Sequence, residues 1–435
     1  MKRILIIATS IAILCVAGWS DPLILDLPTS IELALENNPD FKIAGIGLET
    51  ASRAERNIWN QFLPNISASA GVSRASAGGG SPGWGFRGSL DAELSLNSSL
   101  AYTIREIGLA YESEAISYET ARLNLVAEVE QTFAYLVAAE ADMGIEKANL
   151  DLARKRYDQT TTNFSHGLAS ELEVLQAEVT AANLEPTYLQ TVADYEARVR
   201  EFLIVLGLDP ETEIVLDGDL DSEVVEFDVD DLIVRFLENR QDIRDLRLTL
   251  EILNNQRKQV LFAPSGGLVP SLNLSVGWTE GASYGFKSRS WQYDDWTDGF
   301  IAGIGVTIPL DGLIPGSSDS LSVKAVNDQI ESASVTLAKA VYEARTEIIN
   351  LVEQLKTSAA SMELSRLTVE LARKSYEMSE ESFSRGTVQR LDVEDAQQEY
   401  FEARQQYLLS QYAYLSGLID LRVALGLESW DELNG

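Results

Sequence analysis

The chain contains two similar halves in tandem, and this duplication constrains its fold more than any other feature. A shift of 219 positions places residues 150–211 on residues 369–430 without a gap. The tetrapeptide Leu-Ala-Arg-Lys at 152–155, for example, recurs at 371–374. Self-similarity of this kind predicts that one structural unit occurs twice. We therefore expect a first repeat and a second repeat with the same order of elements.

Each repeat contains two segments in which apolar and polar residues alternate. They lie near 65–97 in the first repeat (21–228) and near 271–308 in the second (229–435). Alternation over about nine residues predicts strands with one apolar face, and this length suits a strand that crosses a bilayer. Four strands cannot close a membrane barrel, because known single-chain barrels have at least about eight. Three copies would supply twelve, so the pattern predicts an oligomer.

A long helical segment follows each strand pair. Near 99–165 and 319–384, apolar residues recur every seven positions, which indicates a coiled coil. About 65 helical residues would extend roughly 100 Å, longer than a single globular core needs. Each segment ends at a glycine turn, and a returning helix follows near 170–206 or 389–425.

Local signals refine the helices. Thr29 and Glu32 predict a capping box at the first helix, and Asn-Asn-Pro at 37–39 predicts a break in it. Pro186 lies inside the first returning helix, where it predicts a kink because proline removes one backbone hydrogen bond.

The composition excludes several kinds of function. With 34 Lys and Arg against 67 Asp and Glu, the chain carries a net charge of −33. Nucleic-acid binding requires clustered basic residues, so nucleic acid is not expected as a partner. One Cys and one His exclude a disulfide framework and zinc sites built from these residues, and they disfavour nucleophilic triads. We therefore expect no catalytic residues, no metal site and no cofactor.

The first twenty residues differ from the rest. Lys2 and Arg3 precede an apolar run that reaches Gly18, and small residues follow. This is the pattern of a signal peptide, so residues 1–20 are expected to be removed on export. A lipoprotein signal would have a small residue before its cysteine, and Leu14 before Cys15 disfavours that alternative.

At this point the order of parts and several motifs resemble the TolC-type outer-membrane efflux proteins. The motifs are Leu-Pro-Asn-Ile-Ser at 63–67, Val-Thr-Ile-Pro-Leu at 306–310, and two glycine turns followed by Leu-Glu-Val or Leu-Asp-Val. The resemblance implies a mainly α fold with a small β part. Each chain would be a two-repeat protomer of a homotrimer, in which a twelve-stranded outer-membrane β-barrel, with four strands per chain, continues as a long α-helical coiled-coil periplasmic barrel.

The same resemblance implies a function and a set of partners. The chain would be the outer-membrane duct of a tripartite efflux or type I secretion system that exports small molecules or polypeptides. Its partners would be a periplasmic adaptor (membrane-fusion) protein, an inner-membrane transporter reached through that adaptor, and outer-membrane lipid. The alternative is a structural function: a periplasmic coiled-coil spacer that transports nothing. A spacer, however, would not need four amphipathic strands.

Two groups of site residues follow from the resemblance by position. The tips of the helical hairpins would contact the adaptor, and the first turns of the returning helices would line the aperture, where carboxylates favour cations. The residues expected at the tips are Phe164, His166, Gly167, Leu168, Phe383, Arg385, Gly386, Thr387 and Val388. The residues expected at the aperture are Asp392, Asp395 and Glu173. Phe383 and Val388 stand where the family has tyrosine and arginine, so the closed-state latch of the family is not carried over.

Two further motifs have a structural and a functional interpretation. Residues 83–88 fit G-x-G-x-x-G, but they lie between two predicted strands, so a hairpin loop is favoured over a dinucleotide site. Asp217, Asp219 and Asp221 resemble part of an EF-hand, but Ser222 replaces the required glycine, so a solvated connector is favoured.

Overall fold

The computed structural model describes residues 22–75, 83–221, 224–262, 269–284, 296–308, 314 and 316–430. These residues form two compact units. The first comprises the chain up to Ile43, Thr120–Arg240 and Ala344 onward, and the second comprises Ala44–Glu119 and Gln241–Glu343. Each unit therefore draws on both sequence repeats. The expected signal peptide lies outside the described residues, and the division at 228–229 stays a prediction about the sequence.

Eight α-helices and six strands make up the described chain. The helices are α1 (Leu27–Asn37), α2 (Pro39–Arg56), α3 (Leu100–Ser165), α4 (Glu171–Val205), α5 (Val229–Phe236), α6 (Gln241–Leu261), α7 (Ser318–Ser384) and α8 (Arg390–Ala424). The strands are β1 (Leu23–Leu25), β2 (Asn65–Ala75), β3 (Gly83–Leu96), β4 (Ile214–Leu216), β5 (Ser271–Tyr284) and β6 (Trp296–Thr307). The expected mainly α fold with a small β part is confirmed.

The first unit is held together by the apolar heptad positions of the long helices. Ile348 and Leu355 of α7 are almost fully buried against Tyr414 and Leu421 of α8 and Phe236 of α5. Each buried side chain of this size stabilises the fold by about 1.5–3 kcal/mol relative to an exposed one. The seven-residue periodicity of the sequence therefore defines the core of this unit.

The acidic connector between the repeats is anchored to the helices of the first unit. Leu220 is buried against Ala134 and Ala138 of α3. The hydroxyl of Tyr414 accepts the backbone N–H of Val225 at 2.9 Å, and Gln411 donates to Asp221 at 3.3 Å. The connector is thus packed through Leu220, while its three aspartates stay exposed.

The first helix begins earlier than its capping signal predicted. The Asp26 carboxylate accepts the backbone N–H of Thr29 at 2.9 Å, so Asp26 and not Thr29 is the N-cap of α1. Pro28 fits the first turn because no intrahelical partner is needed for its missing N–H there. The predicted break at 37–39 is confirmed, and the Asn38 side chain accepts the N–H of Phe41 at 2.9 Å.

Four helix ends of the first unit share one motif. Gly167, Gly386, Gly207 and Gly426 all have φ near +70°, which glycine adopts without steric cost. After each glycine, the next N–H returns to a carbonyl five residues earlier, as Leu168 does to Asn163 at 2.8 Å. This is the Schellman motif, and it occurs at matching positions in both repeats. By contrast, α4 runs unbroken through Pro186, and the kink there stays a prediction.

The second unit contains a four-stranded antiparallel sheet in the order β2-β3-β5-β6. Residues 83–88, the G-x-G-x-x-G match, lie inside β3 and not in a hairpin loop, so that interpretation is wrong. Gly83 and Gly85 alternate with Trp84 and Phe86 and occupy the opposite face, whereas Gly88 lies on the same face as the two rings. The strands of 11 to 14 residues are accordingly longer than predicted.

Helices α2, α3 and α6 adjoin the sheet in sequence. The Asn255 side chain of α6 donates to the Tyr102 carbonyl in the first turn of α3 at 2.8 Å, and the Phe262 ring stacks on the Tyr102 ring at 5.3 Å. Arg105 pairs with Glu251 at 2.5 Å. These contacts fix the end of α6 to the start of α3. Within the described ranges, none of the helices is long and apolar enough to cross a membrane.

Candidate functional site

The sheet presents one apolar face, and that face is exposed. Cross-strand pairing aligns the apolar residues in rows, such as Leu90 opposite Trp278 and Trp278 opposite Phe300. The exposed large apolar members of this face are Ile66, Val72, Trp84, Leu90, Leu272, Val276, Trp278, Phe300, Ile304 and Val306. Exposed apolar surface of this extent marks contact with a partner or a membrane. One row is polar, since Glu280 lies opposite Asp298.

The opposite face of the sheet is mostly polar and rich in small residues, and Ile301 is an exposed apolar exception. Ser69 and Ser89 share a hydrogen bond of 2.8 Å, and Ser89 donates to the Asp91 carboxylate at 2.7 Å. Gly277 pairs with Asp91, where an added Cβ would lie 2.7 Å from a carboxylate oxygen. An apolar face backed by a polar face is the pattern of a strand whose two sides contact lipid and water.

The ends of the two helical hairpins lie in the first unit, and each is built by a glycine turn. The expected tip residues Phe164, His166, Leu168, Phe383, Arg385 and Thr387 are exposed, whereas Val388 is half-buried. Leu168 is 79% exposed, an unusual value for a leucine in an ordered turn. Arg385 pairs with Glu381 one turn earlier in α7. The tips are therefore hydrogen-bonded turns that present exposed apolar side chains beside polar ones.

The carboxylates expected at the aperture include two that cap helices. Glu173 accepts the backbone N–H of Ser170 at 2.6 Å and the Ser170 hydroxyl at 2.9 Å, forming a capping box at the start of α4. These hydrogen bonds hold the pKa of Glu173 below its ordinary value, with a smaller contribution from Arg390. At the matching position in α8, Asp392 accepts the backbone N–H of Gln389 at 2.8 Å.

Asp395 lies one turn beyond Asp392, and both carboxylates are exposed. Since residues three apart face the same side of a helix, the two project from α8 together. The structure thus brings Asp392 and Asp395 onto one face, as expected. Their place at an aperture stays a prediction.

Arg390 joins the two hairpins, and sequence reasoning did not single it out. Its guanidinium donates to the buried Thr160 hydroxyl of α3 at 2.6 Å and to Glu394 of α8 at 3.0 Å. The hydroxyl of Thr160 in turn donates to the Arg156 carbonyl at 2.9 Å. The Ser-x-x-Glu pattern at 170–173 could have revealed the cap of α4, whereas no sequence signal connects Thr160 to a residue 230 positions away.

Among the residues that the structure describes, no three His, Cys, Asp or Glu side chains are grouped so that they could hold a metal ion. The arrangement offers exposed apolar surface on the sheet, exposed hairpin ends and exposed carboxylates. Those features suit binding to partners and the passage of a solute more than the catalysis of a reaction.

Comparisons with known proteins agree with this arrangement. A family model described as outer membrane efflux protein matches residues 30–202 and 232–427. The outer membrane protein TolC of Salmonella enteritidis is 23% identical over 356 residues, which cover 77% of this chain and 68% of that protein.

Solved structures share the fold. CusC superposes with a TM-score of 0.72 and 18% identity over 96% of both chains. The CmeC outer membrane channel of Campylobacter jejuni gives a TM-score of 0.74 and 20% identity over 94% of this chain and 88% of its own. The MtrE outer membrane channel of Neisseria gonorrhoeae gives a TM-score of 0.69 and 17% identity over 92% of this chain and 89% of its own.

The family match, with an exposed apolar sheet joined in sequence to long helical hairpins, defines the chain as an outer-membrane export duct. The chain belongs to the outer membrane efflux protein family. Its localisation is accordingly the bacterial outer membrane, with a long periplasmic helical part, and its function is export and not catalysis.

Proposed function

We propose that three copies of this chain form the duct, and that it exports small molecules or polypeptides with a periplasmic adaptor and an inner-membrane transporter. Channels of the TolC type are trimeric and work with such partners. The observation that carries the proposal is the sheet, because four strands with an exposed apolar face leave two open edges. Open edges are not stable in lipid, and twelve strands from three copies would remove them.

Two exposed apolar stripes support association between copies. On α7, Leu364, Leu371 and Met378 are spaced by seven residues and are each about two-thirds exposed. On α4, Leu175 and Val179 are more than half exposed. Heptad-spaced apolar residues are stable in water when they pack against another helix. A second copy would supply that helix.

The test of this proposal is the mass and conductance of the purified protein. In detergent, light scattering is expected to give three chain masses, and the same preparation is expected to form ion-conducting channels in a planar bilayer. A monodisperse monomer without conductance would contradict the proposal and would favour the non-transporting spacer.

The adaptor proposal rests on the exposed hairpin ends. Phe164 and Leu168 at one tip and Phe383 at the other present apolar surface that an adaptor hairpin would cover.

A resistance assay tests this contact. The duct is co-expressed with the adaptor and transporter encoded in its own genome, in a host that lacks its own duct. The double variant Phe164→Ser with Phe383→Ser is expected to abolish resistance to exported toxic compounds, whereas Val234→Ser, another exposed apolar residue, is expected to retain it. If the double variant retained resistance, the tip residues would not be needed for the contact with the adaptor.

The proposed aperture consists of Asp392 and Asp395, with Glu173 from the other hairpin. Three copies would bring several carboxylates to a narrow ring, and such a ring favours cations. The exposure of these carboxylates in the described structure supports their access to a passage.

A further inference from the structure

We propose that the segments that lead into the sheet bind anionic phospholipid headgroups in the periplasmic leaflet of the outer membrane. The inference concerns a surface that neither the export proposal nor the expected hairpin contacts use. It rests on the outer-membrane localisation, and it is independent of the adaptor and of the cargo.

Two strands of the sheet are each preceded by the same arrangement of residues. Before β2, α2 ends with Arg53 and Arg56, and Trp59, Phe62 and Leu63 follow. Before β5, α6 ends after Arg257 and Lys258 with Leu261, and Phe262 follows. In both cases two basic residues come first, and large apolar residues lie between them and the strand.

The apolar residues of this arrangement are exposed. Trp59 is 57% exposed, and Phe62, Leu63, Leu261 and Phe262 are exposed as well. The surface continues onto Ile66, the first exposed residue on the apolar face of β2. Trp and other large apolar residues are typical of the level where hydrocarbon meets headgroups. Because the helices are the periplasmic part, this level belongs to the periplasmic leaflet.

The charge of these segments is opposite to that of the whole chain. Residues 50–63 and 252–262 carry four Lys and Arg against one Glu, in a chain where acids outnumber bases by almost two to one. Basic side chains at this depth attract anionic headgroups, whereas the acidic remainder would repel them. Charge complementarity therefore selects a phosphate-bearing anionic lipid as the occupant.

The partners of the basic residues leave much of their charge available. Arg56 donates to the neutral Ser52 hydroxyl at 2.8 Å. Arg53 donates to the neutral Thr50 hydroxyl at 3.2 Å and has a long ion pair of 3.9 Å with the exposed Glu49. Lys258 is exposed, as are Arg53 and Arg56. A headgroup phosphate would accept hydrogen bonds from these three exposed side chains.

The two arrangements belong to one framework. Phe262 stacks on Tyr102 in the first turn of α3, and Ser98 donates to the Phe262 carbonyl at 3.5 Å. Because α3 starts four residues after β3 ends, the end of α6 is fixed close to the end of the sheet. Trp59 lies six residues before β2, at the same end of the sheet as the start of α3, since Asn65 pairs with Glu93 of β3.

Tryptophan quenching by brominated lipids tests the proposal on the full protein in vesicles. The quenching of Trp59 is obtained as the difference in quenched fluorescence between the wild-type protein and the Trp59→Phe variant. We compare brominated phosphatidylglycerol with brominated phosphatidylcholine in phosphatidylcholine vesicles at 0.05 M salt. A several-fold preference for phosphatidylglycerol is expected, since one near-surface basic side chain is worth about fivefold. The preference should fall strongly at 0.5 M salt.

The double variant Arg56→Gln with Lys258→Gln is expected to lose at least fivefold of this preference. The matched control, Arg345→Gln with Lys356→Gln, removes two exposed charges from α7 and should leave it unchanged. An unchanged preference in the first variant, or an equal loss in the control, would overturn the proposal. If the first variant fails to insert, the wild-type salt titration decides, because a preference that does not respond to salt would also overturn it.

Discussion

At the scale of the residue, the acidic side chains of the hairpins combine a local and a proposed distant role. Asp392 accepts a backbone N–H at the start of α8, and Glu173 does the same at the start of α4. A substitution to alanine would therefore remove a helix cap together with the charge, and a cap is worth about 1 kcal/mol. Asn and Gln keep an acceptor and remove only the charge.

The first prediction separates these roles. Asp392→Asn with Asp395→Asn is expected to lower the preference of the bilayer conductance for cations over anions, because a ring of carboxylates attracts cations. The permeability ratio is measured from the reversal potential in a salt gradient. Glu399→Gln, an exposed change on the same helix, is the control and should leave the ratio unaltered. An unaltered ratio in the double variant would exclude both aspartates from the aperture.

The second prediction concerns the buried ion pair of the first unit. Arg422 of α8 donates to Glu130 of α3 and, at 2.9 Å, to the Glu428 carbonyl, and both side chains of the pair are largely buried. Burial raises the pKa of Glu130 more than the neighbouring Arg422 lowers it. Arg422→Met leaves that carboxylate buried without its partner, at an expected cost of about 3–5 kcal/mol.

Urea denaturation in detergent measures this cost as the change in the free energy of unfolding. The double variant Glu130→Met with Arg422→Met is the control, since it replaces both partners by apolar side chains and should be much less destabilised. Equal losses in the single and double variants would show that packing, and not the unpaired charge, determines the cost.

At the scale of the element, the glycine turns show which helix ends tolerate a side chain. Gly167 and Gly207 have the same left-handed conformation, but their surroundings differ. Nothing lies within 4 Å of a Cβ added at Gly167, whereas a Cβ at Gly207 would lie 2.5 Å from the Asn37 carbonyl oxygen.

The third prediction follows from this comparison. Gly167→Ala is expected to cost only the left-handed strain of about 1–2 kcal/mol. Gly207→Ala is expected to cost clearly more, because the backbone at Asn37 must also move. Gly426→Ala, where the nearest atom is at an ordinary 3.7 Å, should resemble Gly167→Ala. Equal thermal midpoints for the Gly167 and Gly207 variants would contradict the close contact.

The sequence predicted the helices and strands well where a periodic pattern of apolar residues continued over many positions. The heptads of α3 and α7 fixed these helices to within one residue, and alternation placed all four strands. It failed where two local signals competed. Thr29 resembled a cap, yet Asp26 with Pro28 formed the first turn. Residues 83–88 resembled a loop, yet pairing with β2 and β5 extended the strand through them.

At the scale of the whole molecule, exposed apolar surface is the main clue to assembly. The core heptad positions Ile348 and Leu355 are buried within one chain, whereas Phe383 at the tip is about half exposed. Leu371, on another face of α7, is 68% exposed. A single chain therefore buries the apolar residues in the middle of α7. Its other apolar positions stay exposed and could be covered by another copy or a partner protein.

The fourth prediction tests that neighbour. Leu175→Glu with Leu371→Glu is expected to convert the trimer to smaller species in detergent, because charges in a helix seam are costly to bury. Val234→Glu, at an even more exposed apolar site on α5, should leave the mass unchanged. Light scattering after size-exclusion chromatography measures the outcome. A trimer that persists in the double variant would place the contact between copies elsewhere.

The sequence by itself determined the duplication, the long helices, the amphipathic strands and, through its motifs, the family. These properties are periodic or local, so neighbouring residues carry the whole signal. Only the tertiary structure decided which distant groups meet: Arg390 with Thr160, Arg422 with Glu130, and Phe262 with Tyr102. Such pairs depend on how helices pack, and packing is a property of the whole chain that no local pattern specifies. The lipid-binding surface proposed here became visible for the same reason, since two separate segments had to be placed at one end of the sheet.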